Sequence, residues 1–86
     1  MAKGKEKENG KSIVLYKTAT CPWCHKTEEF LQKHKIKFKA IDVGKDEKAL
    51  NRMVQISGQR GVPVIEIDKT VIVGYDESAL KKVLRL

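Results

Sequence analysis

The chain has 86 residues, of which 41% are hydrophobic and 34% are charged, and its formal net charge at pH 7 is +7. This length allows one small domain with one modest core and leaves no room for a second folded unit. The balance of apolar and charged residues is typical of a globular protein rather than a disordered chain. Because no apolar run approaches the length of a membrane-spanning helix, no membrane partner is expected.

Residues 1–11 alternate lysine with glutamate and lack the apolar segment of a secretory signal. We therefore expect a flexible charged tail over residues 1–11, a folded domain over residues 12–86 and a cytoplasmic location. In that reducing compartment a cysteine pair is more often catalytic or metal-binding than structural. The lysines are spread from Lys3 to Lys82 without interleaved aromatic residues, which argues against nucleic acid as a partner.

The first part of the domain predicts a strand, a helix and a second strand. Residues 12–16 form a short apolar run that is typical of a buried strand. Pro22 suits the first turn of a helix, where its missing N–H is no loss. Residues 36–40 alternate apolar residues with lysines, which predicts a strand with lysines on one face or near an edge. The helix is expected to turn one stripe towards the core, formed by Thr27, Phe30, Leu31 and His34.

A second helix is predicted between Asp46, a suitable N-cap, and Gly58, a suitable left-handed C-cap. Asp76 is the expected N-cap of a last helix that runs to the end of the domain. Each helix has one apolar face. These faces consist of Leu50, Met53, Val54 and Ser57 in the second helix, and of Leu80, Val83 and Leu84 in the last.

Between these helices, residues 62–67 and 70–73 are predicted strands. Asp68 and Lys69 connect them, which is too short a connection for anything but an antiparallel hairpin. A turn that needs positive φ would favour glycine at Lys69, which leaves a wider loop open. The order β-α-β-α-β-β-α predicts an α/β fold with one mixed four-stranded sheet flanked by helices.

Two cysteines lie where the first strand passes into the first helix. Cys21 would occupy the helix cap and Cys24 the end of the first turn, about 4.5 Å further along the axis and close enough for a disulfide. Cys21 would face free N–H groups and the positive end of the helix dipole, which stabilise a thiolate, while Cys24 would be shielded and protonated. This pattern predicts thiol–disulfide exchange, in which Cys21 attacks and Cys24 resolves the mixed disulfide.

Three other chemistries use similar residues. Cys21, Cys24 and His25 match the pattern of covalent haem attachment, with Met53 as an imaginable axial ligand. That chemistry belongs to exported proteins, and a structural zinc site would need more ligands than His34 can add. An iron–sulfur module held by Cys21 and a second subunit remains the alternative from a different class.

Residues 15–25, with the sequence Leu-Tyr-Lys-Thr-Ala-Thr-Cys-Pro-Trp-Cys-His, closely resemble the active-site segment of dithiol glutaredoxins. Residues 57–63 resemble the family segment that contains a cis proline, and residues 73–76 resemble its glycine–aspartate turn. The resemblance implies a thioredoxin-like fold and a glutaredoxin-like domain over residues 12–86. It also implies a monomeric oxidoreductase that reduces protein disulfides or glutathione mixed disulfides without a bound cofactor or metal.

The resemblance further implies roles for single residues. Cys21 and Cys24 would be the catalytic pair, within an active-site loop that includes Thr20, Pro22 and Trp23. A cis bond before Pro63 would turn the backbone of its neighbour towards an extended substrate. Glutathione or another substrate would contact Lys17, Arg60, Val62, Pro63, Gly74, Tyr75 and Asp76.

The chain departs from the family pattern at three places. Gly61 stands where threonine is frequent, Val73 replaces the first glycine of the turn, and Thr18 takes the place of a lysine that appears one position earlier as Lys17. Related small redoxins are reduced by a flavoprotein reductase, thioredoxin reductase, but their tryptophan-containing turn is absent here. The expected partners are therefore disulfide-containing proteins, with glutathione or a flavoprotein reductase as the electron donor.

Overall fold

The computed structural model describes residues 12–85, which form seven elements: four strands of one sheet and three helices. The expected tail over residues 1–11 lies outside the described residues. The order of elements is the predicted β-α-β-α-β-β-α. The elements are β1 (Ile13–Lys17), α1 (Pro22–Lys33), β2 (Lys39–Asp42), α2 (Glu47–Ser57), β3 (Val64–Ile67), β4 (Thr70–Val73) and α3 (Glu77–Leu84).

The sheet has the strand order β2-β1-β3-β4. β1 runs parallel to β2 and antiparallel to β3, and β3 runs antiparallel to β4. This mixed four-stranded sheet flanked by helices confirms the predicted thioredoxin-like fold. Because β1 is hydrogen-bonded on both sides, the sheet fixes the point where β1 ends, just before the two cysteines.

Helices cover both faces of the sheet and create two cores. On one face, α1 and α3 share a core with the sheet residues Leu15 and Ile65. On the other face, α2 shares a core with Tyr16 and Val64, and Met53 of α2 is fully buried there. α1 is therefore anchored through Phe30 and Leu31, while its first residues follow the end of the inner strand β1.

The prediction for β2 was wrong in its boundaries. The strand begins at Lys39, three residues later than predicted, and pairs with β1 from Val14 onward. Lys35 has a φ of 58°, and the N–H of Ile36 donates to the carbonyl of Leu31 at 2.9 Å, which closes the end of α1. Ile36 and Phe38 then pack against the core beneath α1, so the apolar alternation arises from a buried connection rather than from a strand.

The hairpin between β3 and β4 has a two-residue loop, so no wider loop forms. The positive φ, 52°, lies at Asp68 and not at Lys69. A short polar side chain tolerates this conformation, and Asp68 Oδ1 also accepts a hydrogen bond from the N–H of Ser12 at 2.9 Å. β3 begins at Val64 rather than at residue 62, because Pro63 has no N–H for the ladder.

The helix ends follow the predicted capping residues. Asp46 and Asp76 each accept a hydrogen bond from the third amide of their helix, and Gly58 ends α2 in the left-handed conformation with φ of 73°. His34 differs from the prediction, because it is the C-cap of α1 and only partly buried. Its ring packs at 4.5 Å against the ring of Phe30. The buried stripe of α1 does not include His34, but it does include Cys24 near the start of the helix.

Replacement of Leu31 by alanine should test whether the packing of α1 supports the fold. Leu31 is fully buried, so Leu31→Ala should lower the free energy of unfolding by about 2–5 kcal/mol. Gln32→Ala, at the exposed neighbouring position, should change it by less than about 0.5 kcal/mol. Urea denaturation followed by circular dichroism measures both values, and equal losses would contradict the described packing.

Candidate active site

Cys21 lies where the chain passes from β1 into α1. It is the N-cap of α1, with an extended backbone (φ −95°, ψ 110°), and Pro22 occupies the first helical position. The sulfur of Cys21 accepts a hydrogen bond from the backbone N–H of Cys24 at 3.2 Å. This amide and the positive end of the helix dipole both favour negative charge on the sulfur. Cys21 is partly exposed, so a disulfide from outside can reach it.

Cys24 is fully buried one turn further along α1. Burial is the main cause that raises the pKa of its thiol to about 12, and its hydrogen bond with Cys21 acts in the same direction. The negative charges of Cys21 and Glu28 raise this pKa further, while a backbone hydrogen bond at Thr18 lowers it. Cys24 therefore keeps its proton at neutral pH, so the two neighbouring sulfurs have different chemical properties.

Two distant loops complete the surroundings of Cys21. The sulfur of Cys21 lies 3.8 Å from the carbonyl oxygen of Val62, as a thiol donating to it would, and the Val62–Pro63 bond is cis. The carbonyl of Pro63 in turn accepts a hydrogen bond from the N–H of Gly74 at 2.8 Å. Gly74 has a φ of 83°, a conformation that favours glycine. Residues 21–24, 62–63 and 74 thus meet at the dithiol although they are far apart in sequence.

Two large apolar side chains are exposed, one between the two cysteines and one next to Gly74. Trp23 is 55% exposed and Val73 is 50% exposed, and these are the exposed large hydrophobic residues of the range 12–85. The ring of Trp23 stacks on that of Tyr75, with the centroids 6.0 Å apart and the planes at 24°. Tyr75 also meets the edge of Phe30 at 6.3 Å. Local packing therefore orients Trp23 but leaves half of its surface open to a partner.

A charged network lies on the α1 side of the dithiol. The ammonium of Lys17 is 3.1 Å from Glu28 Oε2, and Nδ1 of His25 is 3.6 Å from Glu28 Oε1. The other ring nitrogen of His25 is 3.3 Å from the carbonyl oxygen of Ala19. Because Glu28 follows Cys24 by four residues, both lie on the same face of the helix. Lys17 is thus held by a carboxylate rather than directed freely towards the dithiol.

The loop before Val62 is held by hydrogen bonds between the side chain of Gln59 and the backbone of Gly61. Oε1 of Gln59 accepts from the N–H of Gly61 at 2.6 Å, and Nε2 of Gln59 donates to the carbonyl of Gly61 at 3.0 Å. A Cβ atom at position 61 would lie 2.7 Å from Gln59 Oε1, so glycine suits this arrangement. Both backbone groups of Gly61 are therefore occupied, and Arg60 lies exposed between the two residues.

The structure brings most of the predicted site residues together, but not all of them. The group around the dithiol contains Cys21, Cys24, Val62, Pro63 and Gly74. Trp23 and Tyr75 contact one another beside it, and Thr20 and Pro22 are exposed in the loop. The remaining three are engaged or placed elsewhere: Lys17 with Glu28, Asp76 as the N-cap of α3 through the N–H of Ala79 at 3.1 Å, and Arg60 on its exposed loop.

Sequence reasoning missed Glu28 and Gln59. A charged residue four positions after Cys24, on a helix already predicted, was a signal that could have found Glu28. Nothing in the local pattern singles out Gln59, because its role depends on the path of the loop between α2 and Val62.

Residues 12–85 show neither a metal-binding cluster nor a membrane-spanning helix. Within that range no three histidine, cysteine or acidic side chains lie together where they could hold a metal ion. None of the helices described is long and apolar enough to cross a membrane.

Comparison with known proteins agrees with this geometry. A sequence model of the glutaredoxin family matches residues 13–72, which is more than half of the chain. An uncharacterized glutaredoxin-like 8.6 kDa protein in the rubredoxin operon of Clostridium pasteurianum is 43% identical over 72 residues, which cover 84% of this chain and 96% of that protein. Glutaredoxin-C2 of Arabidopsis thaliana is 32% identical over 82 residues, which cover 92% and 74% of the two chains.

The same similarity is found in a solved structure. The crystal structure of the glutaredoxin (grx-1) from Archaeoglobus fulgidus superimposes with a TM-score of 0.81 at 29% sequence identity. The alignment covers 98% of this chain and all of the archaeal one, 100%. The two proteins therefore share the same fold.

Alkylation with iodoacetamide should distinguish the two sulfurs. At neutral pH Cys21 should react first in the folded protein, and Cys24 should lag by roughly two to three orders of magnitude, since it is buried and its pKa is about 12. As the pH rises towards that value the lag should shrink, because Cys24 ionises. Mass spectrometry of the Cys21→Ser and Cys24→Ser variants measures each rate separately. In denaturant both cysteines should react alike, and faster modification of Cys24 in the folded state would contradict the described burial.

Proposed function

The chain belongs to the glutaredoxin family, and on this premise we propose that it is an enzyme that reduces protein disulfides or glutathione mixed disulfides through Cys21 and Cys24. The observation that carries the proposal is the difference between the sulfurs. One is reachable at a helix N-terminus and accepts an amide hydrogen bond at 3.2 Å, and the other is buried and protonated three residues away. A nucleophile and a resolving thiol require this difference.

The proposed reaction proceeds in two exchange steps. The thiolate of Cys21 attacks one sulfur of the substrate disulfide, whose S–S bond breaks, and the first substrate thiolate leaves and takes up a proton. Cys24 then loses its proton and attacks the sulfur of Cys21, which releases the second substrate thiol and leaves a Cys21–Cys24 disulfide. The substrate gains two electrons and the dithiol loses them. No bound cofactor is needed, because the two cysteines supply both electrons.

We propose glutathione as the co-substrate that restores the dithiol, which the family supports. The backbone of Val62 beside Cys21 is the proposed contact for an extended thiol peptide. In our proposal this peptide also contacts the side chain of Arg60 and the loop formed by Gly74, Tyr75 and Asp76.

A flavoprotein reductase is the alternative donor. Two observations favour it: Lys17 is paired with Glu28, and both backbone groups of Gly61 are bonded to Gln59. These groups are thus engaged within the chain. In either case we propose a monomer that works in the cytoplasm, where the reducing environment keeps a dithiol reduced, with disulfide-containing proteins rather than nucleic acids or membranes as partners.

Serine variants of the two cysteines test the order of the steps. Cys21→Ser should abolish turnover of a model disulfide, since the first step requires this sulfur. Cys24→Ser should accumulate mixed disulfides with protein substrates, because the resolving thiol is missing. Non-reducing electrophoresis and mass spectrometry detect these adducts. Turnover by Cys21→Ser with Cys24 intact would show that the roles are assigned wrongly.

The electron donor is tested by the same Cys24→Ser variant. External glutathione can resolve a glutathione adduct on Cys21, so this variant should still turn over glutathione mixed disulfides if a usable glutathione site exists. A coupled assay with glutathione and glutathione reductase measures this activity, and an assay with thioredoxin reductase on the unmodified chain is the comparison. Activity with thioredoxin reductase alone would favour the flavoprotein donor.

A further inference from the structure

The ion pair between Lys17 and Glu28 lies near the resolving cysteine, because the charge of Glu28 acts on Cys24. Its atoms are 3.1 Å apart, and the two side chains are only 24% and 18% exposed. Lys17 is the last residue of β1, and Glu28 lies one turn after Cys24 on α1. Helical side chains lean towards the N-terminus, so the carboxylate of Glu28 is directed back towards Cys24. A partly buried pair is screened less by salt than an exposed one.

The resolving step builds up negative charge at this position. Cys24 changes from a neutral thiol to a thiolate before it attacks, and the carboxylate of Glu28 opposes this charge while the ammonium of Lys17 favours it. The titratable groups that act on Cys24 are Cys21 at the helix start and Glu28, and Glu28 in turn lies at ion-pair distance from Lys17 and His25. Burial dominates the raised pKa of Cys24, and the charge of Glu28 adds to it.

We infer that the Lys17–Glu28 pair is a positioning pair for the resolving step, in which Lys17 cancels the charge of Glu28 while Cys24 loses its proton. This inference deepens the proposed function and rests on it. In this inference both residues act through Cys24 rather than on the substrate. The bonds that form and break are those of the second exchange step above: the Cys24–Cys21 disulfide forms, the bond from Cys21 to the substrate breaks, and the substrate thiolate leaves and is protonated.

The expected size of the effect follows from thiol reactivity. A fall of one unit in the pKa of Cys24 raises its thiolate fraction at neutral pH about tenfold but weakens the thiolate as a nucleophile about threefold. The net gain is about three- to fourfold in rate for each unit of pKa. Removal of Glu28's charge should act in this direction, and removal of Lys17's charge should act in the opposite one.

A single-turnover experiment with a chromogenic aromatic disulfide separates the two steps. The first coloured thiolate leaves as Cys21 forms the mixed disulfide, and the second leaves as Cys24 attacks Cys21. We expect Glu28→Gln to speed the second phase and Lys17→Met to slow it, each by about three- to fourfold per unit of pKa shift. The double variant should return close to the original rate, and Lys17→Arg should retain it.

The pH profile gives a readout that a merely structural role would not change. The rise of the second phase with pH should move to lower pH in Glu28→Gln and to higher pH in Lys17→Met. Glu29→Gln, at the exposed neighbouring position of α1, and Lys48→Met, exposed on α2 across the sheet, are the matched controls and should leave the phase unchanged.

Three results would overturn the inference. Shifts of both single variants in the same direction would indicate a structural role, and a change in the first phase alone would place the effect on Cys21. An unchanged second phase in both variants would also overturn it. Failure of the proposed function has a different signature, since a second phase that persists in Cys24→Ser would mean that Cys24 is not the resolving thiol.

Discussion

The arrangement of the site depends on one hydrogen bond, from the backbone N–H of Cys24 to the sulfur of Cys21 at 3.2 Å. This bond exists because Cys21 is the N-cap of α1, and Pro22, which suits the first helical position, begins the helix directly after it. The same first turn carries the side chain of Cys24 into the core while the sulfur of Cys21 stays at the surface. One helical start thus produces both the proximity of the sulfurs and their difference.

The start of α1 follows β1, and β1 is fixed within the sheet. β1 ends four residues before Cys21, and its last buried residue, Tyr16, donates a hydrogen bond to Glu66 of β3 at 2.8 Å. The other carboxylate oxygen of Glu66 accepts from Arg52 of α2 at 2.7 Å. Burial, and then the hydrogen bond to Glu66, raise the pKa of Tyr16, which therefore stays neutral and donates. These three side chains join β1, β3 and the helix α2 to one another.

Local patterns predicted the elements of the fold because each carries its own signal. Asp46, Gly58 and Asp76 end or begin helices through hydrogen bonds and backbone conformations that depend on a few adjacent residues. β2 was misplaced because apolar alternation over residues 36–40 has two causes that look alike in sequence, namely a strand and a connection packed under a helix. The contact of Cys21 with Val62 was expected only through the family resemblance. The partnership of Lys17 with Glu28 joins a strand to a helix, and no spacing rule within one element predicts it.

Electrostatics near the dithiol differ from those of the whole chain. The formal net charge is +7, and such an excess attracts acidic partners over long range. Close to the cysteines, however, Lys17 is paired with Glu28, and Asp76 is engaged as a helix cap. The surface next to Cys21 includes the exposed side chain of Trp23 and the backbone of Val62. Under the proposed function, charge therefore accelerates the encounter with a protein partner, whereas apolar and backbone contacts decide how its disulfide meets Cys21.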